Sequence, residues 1–414
     1  MANHSTTVID VLAASPVGVA VAAVLWSALG LYGLSALWWT LEATVLARGG
    51  RVTPEDVRWG YDEVQVRILT VDAAAVVQAT VDAVPDGIDD VVVVAETPMS
   101  IDEAAVRVVP ESFECTATHK GRALEWARRH VECDREYVVY LDEDTIMTDF
   151  VGLPDADVVQ FTELPLYTGS WVTYVCEVFR IGYQYEQFAF HRLRYPLYAW
   201  GGCLAVRASV EDAVTWDAAT VTEDTNFLWR AAARGRLDFA VLDVRFRNQA
   251  PPSIRAMVAQ RRRWISGTRA DGGLLPRSYR PLYYTRIVAW AFSPLVPVFV
   301  VVSAVTPGAV PASGAYQVAS LALFGLLFVY TSVGTVRYRK SVGRALAYVV
   351  ATPVAFLAHS AGALWGVVCP VDSFAVTQKI APETVESVNA RLEAGDIEAH
   401  DGSERLVEER RVEE

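Results

Sequence analysis

Three acidic residues follow a run of strand-forming residues near the middle of the chain. The run 138–141 (Val-Val-Tyr-Leu) precedes Asp142, Glu143 and Asp144. Such a run is typical of a buried parallel strand, and ligands of open α/β sheets bind at the carboxyl ends of strands. Clustered carboxylates repel one another unless a cation lies among them, and oxygen ligands suit Mg²⁺ or Mn²⁺. Asp142 and Asp144 are therefore candidate metal ligands, Glu143 is expected to point away, and a solvated turn is the alternative.

Further polar motifs flank this acidic turn. They are Lys120 at the start of a helical stretch, Gly201-Gly202 before the apolar run 203–206, Glu223-Asp224 at the start of a second helical stretch, and Gln260-Arg261-Arg262-Arg263-Trp264 before the later apolar segments. Each has an ordinary explanation, because acidic residues complement a helix N-terminus and arginines face anionic headgroups. Their order and spacing, ahead of membrane-spanning sequence, favour one shared site.

The region 42–284 alternates between strand-like and helix-like segments. Strands are predicted at 64–70, 91–95, 106–109, 137–141 and 203–206, and helices at 72–84, 120–130 and 222–233. This alternation predicts an α/β fold with a parallel sheet and helices on both faces. Its length suits a single domain.

Long uncharged segments lie on both sides of this domain. No charged residue occurs at 11–41, 287–336 or 345–371, where only His359 could titrate. Each segment reaches the roughly 20 residues that cross a bilayer, and the second is long enough for two crossings. The first is too long, and its start lacks the basic residues, for a cleavable signal peptide. The sequence therefore predicts a multi-pass membrane protein.

The distribution of basic residues predicts the orientation. Arginines follow the first apolar segment, precede the second and follow it again. By the positive-inside rule, the large domain lies on the cytoplasmic side of the cell membrane. The predicted parts are an N-terminal transmembrane helix at 1–41, the domain at 42–284, transmembrane helices at 285–370 and an acidic tail at 371–414. The segment 345–369 either spans once or re-enters near Pro353, and these alternatives put the tail on opposite sides.

Two segments of the domain are predicted to lie at the membrane surface. The segment 171–200 is rich in aromatic residues and carries Arg180, Arg192 and Arg194. Beside membrane spans, this composition favours helices at the headgroup level, and the same is expected of 254–284. The alternative for the aromatic side chains is an ordinary place in the domain core.

The amino-acid composition indicates the kind of organism the protein comes from and which binding partners are excluded. The net charge is −13, and only three of the 36 basic residues are lysines, at Lys120, Lys340 and Lys379. This pattern is typical of a cytosol of high ionic strength and predicts a haloarchaeal source. The acidity argues against a nucleic-acid partner. The five cysteines lack zinc-like spacing and are expected to be reduced.

The order of these motifs resembles family 2 glycosyltransferases of the D, D, D, QxxRW type, which include cellulose, chitin and hyaluronan synthases. A closer similarity is to the Egghead-type β-1,4-mannosyltransferases of glycolipid synthesis. The matching stretches, within about 64–385, are the Lys120 helix, 141–145, Trp200-Gly201, Glu223-Asp224, 260–264, and 364–368 with 374–379. The resemblance implies a Rossmann-like GT-A domain embedded between transmembrane α-helices.

The resemblance also implies roles for single residues. Asp224, with Glu223 beside it, would be catalytic, and Asp142 and Asp144 would hold Mg²⁺ or Mn²⁺. Donor contacts are expected from Glu96, Lys120, Asp142, Gln260, Arg261 and Arg263, and acceptor contacts from Trp200, Gly201 and Trp264. Glu96 stands where the family has an aspartate near the nucleotide. The alternative for Trp264 is a membrane-interface anchor.

The expected function is inverting transfer of a hexose, mannose by the closer similarity, from a GDP- or UDP-hexose. The acceptor would be a lipid-linked sugar or a glycolipid at the cytoplasmic membrane face, with membrane lipids as further partners and a β-linked product. One alternative is a processive polysaccharide synthase, which the scant material for a secretion channel disfavours. Another is a non-catalytic membrane scaffold, which has no need for so many mutually repelling charges.

Overall fold

A mixed β-sheet forms the centre of the domain in the computed structural model, which describes residues 16–305, 310–372, 379–383, 385 and 389. Its strands are β1 (Arg51–Val52), β2 (Val64–Thr70), β3 (Val91–Ala95), β4 (Ala105–Val108), β5 (Tyr137–Asp142), β6 (Ile146–Met147), β7 (Val158–Glu163), β8 (Cys203–Arg207) and β9 (Phe239–Arg247). Their spatial order is β1-β9-β7-β8-β5-β2-β3-β4, with β6 paired to β9. The strands predicted from apolar runs are all present.

Helices cover the sheet on both faces and continue beyond it. They are α1 (Pro16–Leu41), α2 (Ala74–Asp82), α3 (Lys120–His130), α4 (Trp171–Tyr183), α5 (Ala208–Val214), α6 (Glu223–Arg234), α7 (Ile254–Asp271), α8 (Arg280–Ala291), α9 (Leu295–Val305), α10 (Ser313–Arg337), α11 (Val342–Val350) and α12 (Thr352–Val368). A π-helical turn continues α1 over Glu42–Leu46, and 3₁₀ turns occur at Pro54–Asp56, Tyr61–Glu63, Gln184–Arg192 and Gly272–Leu274.

Alternate residues of the central strands enter two different apolar cores. Val66 and Ile68 of β2 pack on the side of α2, whereas Leu69 packs on the side of α3 and α6. Because both faces are covered, β2 and β3 are buried along their whole length. This explains why β3 is a continuous apolar run in the sequence. In β2 the polar residues Gln65 and Arg67 alternate with apolar ones and are nevertheless buried, where Arg67 donates hydrogen bonds to the Gln65 side chain and the Tyr140 hydroxyl.

The prediction of a parallel sheet is wrong at β8. This strand runs antiparallel to both β5 and β7, although β2, β3 and β5 are parallel to one another. The chain leaves β7 at the carboxyl edge of the sheet, passes through α4, and re-enters at the same edge, so β8 must run the other way. As a result Gly201 and Gly202, which precede β8, lie beside the carboxyl end of β5, where the backbone N–H of Asp142 donates to the Gly202 carbonyl.

Several helices are apolar enough to cross a membrane. Among the described residues, Pro16–Leu46 and α10 each meet this requirement by length and composition. Two bent pairs could each form one further span, α8 with α9 at 71° and α11 with α12 at 57°. The part of the chain that the structure describes therefore has two to four candidate spans, and the second bend lies next to Pro353. Residues 11–15 of the predicted first span and most of the predicted acidic tail lie outside the described residues.

Helix α4 packs directly against candidate spans. A Cβ atom at Gly182 would overlap the Tyr330 carbonyl of α10, and one at Gly334 of α10 would overlap the Val178 carbonyl of α4. Tyr174 and Phe179 are buried in the same core as the spans. Tyr174 and Phe179 thus contribute to packing between the domain and the spans, whereas Phe188 and Phe190 lie in a core of the domain, which was the alternative place for the aromatic side chains.

Candidate active site

The acidic turn after β5 separates its three carboxylates. Asp142 accepts a hydrogen bond from Lys120, whereas Glu143 turns to the Thr70 hydroxyl, 2.7 Å away. Asp144 pairs with Lys379 at 2.7 Å and accepts a bond from the Gln249 backbone N–H. Burial raises the pKa of Glu143. Glu143 therefore points away from the other two carboxylates, as expected.

Lys120 contacts three parts of the site. Its ammonium group donates to Asp142 and to the Gly201 carbonyl, 2.9 Å away, and lies 3.7 Å from Glu223. Burial by itself lowers the pKa of Lys120, but the charges of Asp142 and Glu223 outweigh it, so that this pKa is raised above its ordinary value. The residue is a fixed positive charge at the first turn of α3.

Asp224 is a half-buried carboxylate of the site. It is the second residue of α6, and its Oδ1 accepts a hydrogen bond of 2.7 Å from the Thr225 backbone N–H. Burial first, and the neighbouring charge of Glu223 second, raise the pKa of Asp224 to about 7. A carboxylate with a pKa near the operating pH can take up and release a proton, which is the requirement for a general base.

Helix α7 contributes the remaining predicted side chains. Gln260, Arg263 and Trp264 recur at the helical spacing that places them on neighbouring positions of one face. Burial lowers the pKa of Arg263, and the charges of Glu223, Asp142 and Asp224 oppose that shift. Arg263 is therefore close enough to these carboxylates to interact with them.

One cavity of about 250 Å³ joins these parts. All the predicted site residues except Glu96 line it: Lys120, Asp142, Asp144, Trp200, Gly201, Glu223, Asp224, Gln260, Arg261, Arg263 and Trp264. The cavity extends beyond Trp264 to Tyr183, Ile287, Trp290 and His359, which lie on α4, α8 and α12. It thus connects the acidic turn with helices of the candidate spans.

Two predicted donor contacts have other partners in the structure. Glu96, just after β3, forms an ion pair of 2.9 Å with Arg122 and does not line the cavity. Arg261 is fully buried, and its guanidinium pairs with Glu177 of α4 instead of the carboxylates near Lys120. The contact of Glu96 with the nucleotide stays a prediction, whereas Arg261 is directed toward a different part of the cavity.

Lys379 is a site residue that sequence reasoning missed. It lies in the segment after α12, and the backbone of its neighbour Ile380 forms two hydrogen bonds of 2.8 Å with the Gln249 side chain. These bonds hold the segment against the residues after β9 and bring Lys379 to Asp144. The signal in the sequence is the scarcity of lysine, since Lys379 is one of only three.

The model of the family described as "Glycosyl transferase family group 2" matches residues 137–357, more than half of the chain. The chain belongs to this family. It is a family 2 glycosyltransferase with a GT-A-like fold. The matched residues run from the start of β5 into α12 and so include the acidic turn, Asp224, Trp264 and candidate spans.

Two solved structures that are similar to this glycosyltransferase are distant from it in sequence. One is a mannosyltransferase from Pyrobaculum calidifontis in complex with GDP-Man and Mn²⁺, at 18% identity and a TM-score of 0.49, covering 82% of this chain and 98% of that one. Another is glucosyl-3-phosphoglycerate synthase from Mycobacterium tuberculosis, at 15% identity and a TM-score of 0.35, covering 56% and 83%. No curated protein sequence matches the chain. These likenesses identify neither a donor nor an acceptor for it.

Proposed function

We propose that this glycosyltransferase moves one hexose from a nucleoside diphosphate sugar to a lipid-linked or glycolipid acceptor at the cytoplasmic membrane face. The donor is a GDP- or UDP-hexose, with mannose as the proposed sugar, and the product is β-linked. The observation that carries the proposal is the single cavity, which joins Lys120 and Asp224 to Ile287 and His359 of helices at the candidate spans. A hydroxyl that arrives from the membrane would meet the base and the donor in one space.

Positively charged side chains support the proposal that a nucleoside diphosphate sugar binds in this cavity. Transfer releases a doubly charged diphosphate, and fixed cations aimed at developing charge stabilise it. Lys120 supplies a point charge, and Arg263 supplies a planar fork that matches phosphate oxygens. Gln260, one helical turn before Trp264, adds a neutral donor and acceptor of hydrogen bonds to the same wall.

Asp142 and Asp144 fit a divalent cation. Among the residues that the structure describes, no group of three or more His, Cys, Asp or Glu side chains is arranged for a metal ion. Mg²⁺, however, is typically held by one or two carboxylates with substrate phosphates and water completing its shell. Each carboxylate already has an ammonium partner, Lys120 for Asp142 and Lys379 for Asp144, so the fold keeps positive charge at both positions. When bound, Mg²⁺ or Mn²⁺ would neutralise the leaving diphosphate.

Asp224 is the proposed general base. It takes the proton of the acceptor hydroxyl while that oxygen forms a bond to the anomeric carbon and the bond from this carbon to the diphosphate oxygen breaks. A single displacement inverts the anomeric configuration, so an α-linked donor gives a β-linked product. The neighbouring Glu223 helps to raise the pKa of Asp224 and so makes it a stronger base.

The acceptor sugar is proposed to lie between Trp264 and the Trp200-Gly201 turn. The Trp264 indole and the buried Trp200 line the same cavity as Asp224. An indole gives a flat apolar face with a polar edge, and the glycine leaves room for a ring close to the base. The lipid part of the acceptor would continue past Trp290 toward the bilayer.

A donor screen tests this proposal. Membranes that contain the enzyme are incubated with labelled GDP- and UDP-hexoses and a lipid extract, and the lipid products are analysed by mass. The expected result is one hexose added to one lipid class from one donor. A ladder of oligomers would indicate a processive synthase, and label that never enters the lipid fraction would contradict the proposed acceptor.

A further inference from the structure

Arg261 lies beneath the proposed acceptor residue Trp264. Its guanidinium carbon is 4.0 Å from the centre of the Trp264 ring, whereas that of Arg180 is 5.8 Å away. The Arg261 side chain also donates a hydrogen bond to the Gln260 side-chain oxygen. One buried guanidinium therefore contacts two of the α7 side chains that the proposed function places at the cavity, Trp264 and Gln260.

A chain of ion pairs holds this guanidinium in place. Arg261 pairs with Glu177 of α4, and Glu177 pairs in turn with Arg180 of the same helix. Arg180 donates a bond of 2.8 Å to Glu163, the last residue of β7. This series of ion pairs thus runs from the carboxyl edge of the sheet, through α4, to the Arg261 guanidinium that lies against the Trp264 ring.

A candidate span also contacts Arg261. Its Nε lies 3.4 Å from Nδ1 of His359 on α12, and the His359 ring stacks on Trp290. A Cβ atom at Gly362, one turn further along α12, would come within 2.7 Å of the Arg261 Cβ. The helix that follows the bend near Pro353 therefore packs directly on this side chain.

The charges of this cluster balance. Two guanidinium groups, Arg180 and Arg261, face two carboxylates, Glu163 and Glu177, and all four residues are buried. A compensated cluster offers no net charge to a diphosphate, unlike Lys120 and Arg263 at the other end of the cavity. A buried, hydrogen-bonded network instead fixes the orientation of what packs on it, because each of its members has few alternative partners.

We propose that Arg261 is a positioning residue, which holds the Trp264 indole and the Gln260 amide in the orientation that receives the acceptor sugar. This inference rests on the proposed function for the role of Trp264, but the position of the indole is measurable without catalysis. It predicts that Arg261 affects use of the acceptor and not of the donor.

Arg261→Lys tests this inference because it keeps the charge that Glu177 requires and removes the planar face under Trp264. In protein labelled with 5-fluorotryptophan, the ¹⁹F resonance of Trp264 is assigned by its loss in Trp264→Phe. We expect Arg261→Lys to shift or broaden this resonance and to raise the KM for the acceptor about tenfold, with the KM for the donor unchanged.

Arg67→Lys is the matched control. Arg67 is equally buried, pairs with Glu211, and has its guanidinium carbon 5.8 Å from the Tyr140 ring, but it does not line the cavity. This variant should leave the Trp264 resonance and both KM values unchanged. His359→Leu is the second test variant, because it removes a contact of Arg261 and leaves the ion pairs intact, and it should move the resonance in the same direction by less.

Each outcome is decisive. The inference would be overturned if the Trp264 resonance were unmoved in both Arg261→Lys and His359→Leu. It would also be overturned if Arg261→Lys raised the KM for the donor and not the KM for the acceptor. That second result would mean that Arg261 belongs to the donor site. Should the wild-type enzyme transfer no sugar to lipid, the proposed function fails, and the resonance alone still decides whether Arg261 positions Trp264.

Discussion

Gly201 lies against the carboxylate of Asp224. A Cβ atom at Gly201 would come within 2.8 Å of Oδ2 of Asp224, closer than real Cβ atoms approach an oxygen. The obstructing group is the movable end of a side chain, so Gly201→Ala should fold and displace the carboxylate. Because a displacement of about 1 Å costs up to about 100-fold in rate, we expect kcat to fall by about that factor. Steady-state kinetics with purified enzyme measure it.

The control for this variant is Gly235→Ala. A Cβ atom at Gly235 meets no atom within 4 Å, and its substitution should leave kcat unchanged. Equal activity of Gly201→Ala and the wild type would mean that the position of Asp224 does not limit the reaction.

Asp224→Asn should abolish transfer and leave nucleotide-sugar binding largely intact. The amide fills the same space but takes up no proton, and a general base typically contributes about 10²- to 10⁴-fold. Turnover and donor binding are measured on the same preparation, with Asp212→Asn, an exposed residue of α5, as the control. Full turnover of Asp224→Asn would show that another group is the base.

The pH dependence should report the pKa of Asp224. Since a base acts only when ionised, kcat/KM should fall with decreasing pH below about 7. The charge of Glu223 contributes to the raised pKa, so Glu223→Gln should move this acidic limb to lower pH. Both profiles are measured at one saturating Mg²⁺ concentration. Superimposable profiles would show that Asp224 does not set the acidic limb.

Asp142→Ala should weaken metal-dependent nucleotide binding. Loss of a neighbouring outer-shell group costs a metal site about 10- to 100-fold in affinity, and loss of a direct ligand should cost at least about tenfold. Calorimetric titration with nucleotide in the presence of Mg²⁺ or of chelator measures the effect. Glu143→Gln is the control, because this carboxylate faces Thr70. Equal binding by Asp142→Ala and Glu143→Gln would exclude Asp142 from the metal site.

Local sequence patterns predicted much of the fold. The apolar run of β3 could be recognised because both faces of the sheet are covered there, β2 could be recognised from its alternation of apolar and polar residues, and the predicted α3 has the observed bounds. The direction of β8 could not be predicted, because it depends on where the chain re-enters the sheet after α4. No local pattern encodes such a return.

The site was predictable in its residue types and less so in its contacts. Arg261 and Arg263 are two residues apart on α7 and so point in different directions, which the helical period alone would have indicated. Their different partners, Glu177 for Arg261 and the carboxylates near Lys120 for Arg263, follow from that period. The contact between Lys379 and Asp144, by contrast, joins residues far apart in the chain and depends on packing after α12.

The anomeric configuration of the product tests the account most directly. With an α-linked nucleotide sugar identified by the donor screen, the new linkage in the purified lipid product is assigned from its anomeric coupling constants by NMR. Direct displacement with Asp224 as the base predicts a single β-linked hexose on the lipid. An α-linked hexose would contradict it, because retention requires a second displacement that this site is not proposed to perform.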